Sequence, residues 1–141
     1  NALLEIKKNA ISNFIVIGGT YRSDVQMFES KEGVDLLSRT RITKAFISAA
    51  GINARLGVTC VNDCEVATKH AAMQGALEKI LVADSSKFGA VKPAYFAKLQ
   101  NFDAIITDGG LSLAHRKSQP SISASTCKSN IIGIPSGVYI L

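Results

Sequence analysis

The chain has 141 residues, 47% of them hydrophobic and 19% charged, which suits one domain with its own core and leaves too little chain for two. Its net charge of +5 favours phosphate-bearing partners, but the lysines and arginines are scattered, with no basic helix, stacking platform or zinc spacing for direct nucleic-acid binding. No apolar run reaches the ~18 residues of a bilayer span and no signal-peptide pattern opens the sequence, while three cysteines (Cys60, Cys64, Cys127) form no paired framework, so a cytoplasmic protein without membrane contact is expected.

Residues 3–8 read as the end of a helix. The apolar run 13–17 is a buried strand that stops at Gly18-Gly19. A helix carrying Asp35-Leu36-Leu37 is expected to begin near Phe28, and a second strand covers 45–49, closed by Gly51. Residues 57–62 form a polar loop. The clearest helix runs from 65 to about 77, with Val66, Met73 and Leu77 on or near one face. A third strand at 80–83 and a fourth at 104–106 bracket a short helix at 95–99. Residues 116–130, rich in serine and carrying Pro120, read as a polar loop or helix end. The segments 131–134 and 138–141 supply a last strand or hairpin.

Strands and helices alternate, and the strands are near-continuous apolar runs. This predicts an α/β domain, a mostly parallel sheet with helices on both faces. Ligands of such sheets sit beyond the carboxyl ends of the strands. Three expected strand ends carry polar residues or glycines: Gly18-Gly19-Thr20-Tyr21-Arg22, Ala49-Ala50-Gly51 and Asp84-Ser85-Ser86-Lys87. They would gather along one rim.

Each candidate has two readings. Gly18-Gly19 either makes a tight turn or lets backbone N–H groups approach an anion, with Arg22 adding charge. Glu65 and Lys69, four apart on a helix, either pair across solvent or turn inward, the lysine then donating to a ligand that Glu65 helps to orient. Asp84 either caps the turn after its strand or accepts sugar hydroxyls, and Lys87 is either solvated or binds phosphate. Cys60 and Cys64 would need two more ligands to hold a metal, and none has suitable spacing. His70 has no nucleophile partner that sequence identifies and reads as a surface or packed histidine. No metal site, cofactor or catalytic residue is expected.

These landmarks, taken in order, resemble the C-terminal sensor domain of the DeoR/GlpR family of sugar-operon regulators. The matching stretches are Ile17-Gly18-Gly19-Thr20-Tyr21-Arg22, then Ala45-Phe46-Ile47-Ser48-Ala49-Ala50-Gly51-Ile52, then Leu56-Gly57-Val58-Thr59-Cys60 with Glu65 and Lys69. They continue with Leu81-Val82-Ala83-Asp84-Ser85-Ser86-Lys87-Phe88-Gly89 and Phe102-Asp103-Ala104-Ile105-Ile106-Thr107-Asp108. Within a single domain of residues 1–141, the best match covers 13–111. The resemblance implies a fold similar to ribose-5-phosphate isomerase, glucosamine-6-phosphate deaminase and the CoA transferases. It implies a domain that binds a phosphorylated sugar or polyol without turning it over, in a self-associating repressor whose helix-turn-helix head binds operator DNA. Carried over by position, Gly18, Gly19, Arg22, Glu65, Lys69, Asp84 and Lys87 line the effector pocket. The family's first strand, its Gly-Thr-Thr phosphate loop and the DNA-binding head are expected to precede residue 1. The alternative on the same fold is a sugar-phosphate isomerase or deaminase using Asp84, Glu65 and Lys87 as acid–base groups.

Overall fold

The computed structural model describes residues 15–23 and 27–110 and the backbone of a strand at 138–140. The expectations at 3–8, 116–130 and 131–134 lie outside the described residues. In chain order the elements are β1 (Thr20–Arg22), β2 (Met27–Glu29), α1 (Lys31–Arg39), β3 (Ile42–Ser48), β4 (Gly51–Asn53) and β5 (Gly57–Cys60). Then follow α2 (Cys64–Gly75), β6 (Ala76–Val82), β7 (Ala94–Ala97), β8 (Ala104–Ile106) and β9 (Val138–Ile140). Short 3-10 turns occupy Ser85–Lys87 and Leu99–Asn101.

The central sheet has strand order β8-β6-β3-β9, and every pairing in it is parallel. An α/β domain on a parallel sheet is therefore present. Side chains on one face form rows across the strands, because paired positions in a parallel sheet point the same way. Ile47, Leu81 and Ile105 make one such row, each at most 5% exposed. Burying a side chain of that size is worth about 1.5–3 kcal/mol, and the rest of the core gathers round this row. A second, antiparallel sheet of order β4-β5-β7 joins the same core through Ile52, Val58 and Phe96.

Helices α1 and α2 pack against each other. Ser30 caps α1, its hydroxyl accepting from the Gly33 N–H at 2.8 Å, with Glu32 in the first turn and Arg39 in the last, as the helix dipole favours. At the start of α2 the Glu65 N–H donates to Asn62 O, and the Asn62 N–H donates back to the Glu65 carboxylate.

Several expectations need correcting. Residues 15–17 are not in a strand, and Ile15 and Val16 are about 60% exposed rather than buried. The helix expected near Phe28 begins at Lys31, because Met27–Glu29 pairs with Thr20–Arg22 as a hairpin in which Tyr21 and Phe28 stack at 5.3 Å. The loop expected at 57–62 is largely strand β5, buried throughout. The short helix expected at 95–99 is instead β7, hydrogen-bonded to β5, with a 3-10 turn after it. Helix α2 stops at Gly75, so Leu77 lies on β6 and is 82% exposed.

Candidate functional site

Strands β3, β6 and β8 end side by side, so the residues following them share the carboxyl edge of the sheet. The chain leaves β3 at Ser48, β6 at Val82 and β8 at Ile106. The ladder persists a little further, since the Ala83 N–H donates to Ile106 O.

Beyond β6 stands Asp84. Its Oδ1 accepts from the Ser86 N–H at 2.9 Å and from the Ser86 hydroxyl, and its Oδ2 lies 3.5 Å from Lys87 Nζ. Asp84 thus does cap the following turn, and Lys87 pairs with it. Both side chains remain open to solvent, at 50% and 39% exposure. The Ser86 hydroxyl bond, helped by the Ser86 N–H and by Lys87, holds the Asp84 carboxyl below its ordinary value, so it is ionised at neutral pH. The turn is tied to the neighbouring strand end: Asp108 Oδ1 accepts from the Ser85 N–H at 3.0 Å and from the Gly110 N–H at 3.2 Å.

Beyond β3 the chemistry is buried. Lys69, on α2, is 4% exposed and reaches Ser48 O at 2.9 Å, Ser48 Oγ at 3.1 Å and Glu65 Oε2 at 3.4 Å, with its ammonium 5.3 Å from the Phe96 ring centroid. An ammonium has three N–H donors, and here three acceptors face them. The helical Glu65–Lys69 pair therefore turns inward, and in this arrangement the lysine braces the end of β3. Cys60 is buried beside it, and desolvation pushes its thiol up to about 11, which keeps it protonated. His70 has its Nε2 2.7 Å from Phe96 O.

The remaining candidates lie with the hairpin and α1. Gly19 has φ of +142°, and a Cβ there would sit 2.3 Å from Glu29 O, so backbone packing alone requires glycine. Gly18 and Gly19 border a cleft of about 290 Å³ with Ser30, Glu32 and Gly33. Arg22 lies 3.5 Å from Glu29 Oε2 in a pair that is nearly half exposed. The seven sequence candidates thus fall into three groups. Glu65–Lys69 and Asp84–Lys87 are at adjacent strand ends, whereas Gly18, Gly19 and Arg22 belong to the hairpin and the approach to α1.

Sequence reasoning passed over Ser48, Thr107 and Asp108 as site residues. Asp108 closes the Ile-Ile-Thr-Asp stretch, but its hydrogen bond to Ser85 exists only because β8 pairs with β6. Thr107 is 6% exposed, and its hydroxyl is the one buried side-chain polar atom without a hydrogen bond among the described residues. No group of three potential metal ligands occurs among those residues. None of the described helices is long and apolar enough to cross a membrane.

The carboxyl edge of a parallel sheet, where this exposed, charged, hydroxyl-bearing turn stands, is the place at which α/β domains commonly take small molecules. The chain belongs to the DeoR C terminal sensor domain family, whose sequence profile matches residues 1–109. It is 34% identical over 108 residues to the deoxyribose operon repressor of Escherichia coli (strain K12), covering 77% of this chain and 43% of that protein. Similarity to the HTH-type transcriptional regulator GlpR of Haloferax volcanii is 30% over 115 residues, 81% of this chain and 45% of the other. A lactose phosphotransferase system repressor of Staphylococcus epidermidis is 33% identical over 104 residues, 73% and 41% of the two chains. These relatives are named as regulators rather than enzymes, and the chain spans less than half of their length.

Proposed function

We propose that the chain is the effector-sensing domain of a sugar-operon repressor, and that it binds a phosphorylated sugar or polyol at the carboxyl edge of its parallel sheet. The observation that carries this reading is the solvent-open Asp84–Lys87 pair, held on a braced turn immediately beyond β6. Lys87 can exchange its Asp84 partner for a phosphate, and the freed carboxylate accepts sugar hydroxyls. The buried Glu65–Lys69–Ser48 cluster keeps the adjoining strand end in place. Membership of the sensor family, and relatives named as repressors of deoxyribose and lactose systems, support a ligand of this class. The reading includes a fold of the ribose-5-phosphate isomerase kind, used for binding and not turnover. In the parent protein the ligand relieves operator binding, which requires it to prefer one state of that protein over the other.

Thermal melting against a panel of phosphorylated sugars and polyols, with their unphosphorylated forms as controls, tests this. At a hundred times its dissociation constant a ligand of the native state adds about 2.7 kcal/mol, a rise of roughly 8 °C for a chain of this size. The expected result is a shift confined to a phosphorylated compound and largely lost in Lys87→Ala. A flat response to the whole panel refutes the reading.

A further inference from the structure

Buried Phe88 anchors the far end of the Asp84–Lys87 turn in the core and the Gly89 N–H donates to Ile52 O, but the start of the turn, at Ser85, has little to hold it from within. The turn is only three residues of 3-10 helix, none of them buried, and the contacts of the Asp84 carboxylate are made within the turn itself. A binding turn must nevertheless be fixed before the ligand arrives, since ordering it afterwards costs affinity. At Ser85 the fixing comes from the neighbouring strand. Asp108, two residues past the end of β8, uses a single oxygen, Oδ1, to accept from the N–H of Ser85 and from the N–H of Gly110. The second bond sets the direction of the carboxylate. The absence of a side chain at Gly110 lets the two segments close up, because a Cβ there would lie 2.5 Å from Ser85 Oγ.

We propose that Asp108 is a positioning residue of the effector site: it holds the Ser85 backbone so that Asp84 and Lys87 stand ready for the ligand, without touching the ligand itself. The proposal rests on the sensor reading of that turn. Two features separate it from a general structural role. What matters is the acceptor oxygen, so Asp108→Asn, which keeps a carbonyl oxygen at that place, preserves the function, while Asp108→Ala abolishes it. The effect is also local, because Asp108 is exposed, no residue of the Ser85–Lys87 turn is buried, and none of them belongs to the core.

The experiment combines amide hydrogen exchange with ligand-induced thermal shift on wild type, Asp108→Ala and Asp108→Asn of the full chain. Loss of a hydrogen bond worth roughly 1.4 kcal/mol corresponds to about tenfold. Asp108→Ala is therefore expected to speed exchange about tenfold in peptides covering residues 84–88 and to weaken phosphosugar binding about tenfold or more. Exchange across β3 should be unchanged, and Asp108→Asn should behave as wild type in both measurements. Uniformly faster exchange over the whole sheet, unchanged exchange at 84–88, or an undiminished thermal shift in Asp108→Ala each overturns the proposal. If wild type itself responds to no phosphosugar, the sensor reading falls and the binding role of Asp108 falls with it. The exchange data then still show whether Asp108 fixes the turn.

Discussion

Lys69 offers the sharpest test of how the strand ends are built. Its ammonium is nearly sealed from water and its three donors are spent on Ser48 and Glu65. Lys69→Met fills much of the same volume but strands the Glu65 carboxylate, whose side chain is 16% exposed, and leaves Ser48 O without its cation. Removing one partner of a buried ion pair costs about 3–5 kcal/mol. Glu65 lies in the first turn of its helix, accepts from the Asn62 N–H and keeps some access to water, which argues for the lower end, about 3 kcal/mol. For a chain of this length that is a fall in Tm of about 10 °C. The double variant Lys69→Met/Glu65→Gln retains the acceptor for Asn62 but no longer buries a charge, so it should recover about 2 kcal/mol of the loss. Urea denaturation of the four proteins closes the cycle. A Lys69→Met protein that melts within 3 °C of wild type, or a double variant no better than the sum of the single ones, would refute the account of Lys69 as a brace. The former result, joined to loss of the ligand shift, would make Lys69 a ligand contact instead.

Two further outcomes are expected. Thr107→Val replaces an unpaired buried hydroxyl by a methyl group of similar size and should raise stability by about 1 kcal/mol; a loss in chemical denaturation would show that the hydroxyl is hydrogen-bonded. Asp103 Oδ2 accepts from the Lys79 N–H at 2.7 Å and lies 3.4 Å from Lys79 Nζ, which together hold its carboxyl below the ordinary value of 3.8. A depressed carboxylate stabilises the fold above its unfolded pKa, and this contribution fades as pH falls through the folded value. Asp103→Asn should therefore be less stable than wild type at pH 6, with the gap closing towards pH 3; a gap independent of pH contradicts the assignment.

The parallel sheet was legible because its strands contain short apolar runs, as at residues 80–83 and 104–106, where composition alone separates strand from turn. The antiparallel sheet was not. Gly57-Val58-Thr59-Cys60 looks polar, yet Thr59 is 2% exposed, because its hydroxyl donates to Gly51 O and accepts from the Lys92 N–H. Those partners are distant in sequence, so local pattern carries no trace of them. Ala94-Tyr95-Phe96-Ala97 has good helix formers around it, and only pairing with β5 makes it a strand, with Tyr95 outward and Phe96 inward. Of the site, Asp84 and Lys87 were readable as polar residues ending a strand. The choice between surface pair and inward pair for Glu65–Lys69 needed the position of α2 over Ser48. Asp108 needed the register of β8 against β6.

The pairing of β3 with β9 also bears on how the molecule is made. Lys44 lies beside Val138 and Phe46 beside Ile140, so one strand waits for another that leaves the ribosome much later. Until then one side of β3 carries unpaired backbone N–H and C=O groups, the kind of edge on which chains join one another. Closing so long a loop is also entropically slow compared with the local hairpin of β1 and β2. Shortening the chain before Val138 would leave that edge permanently open, and such a product should be prone to aggregation even where its remaining core is intact.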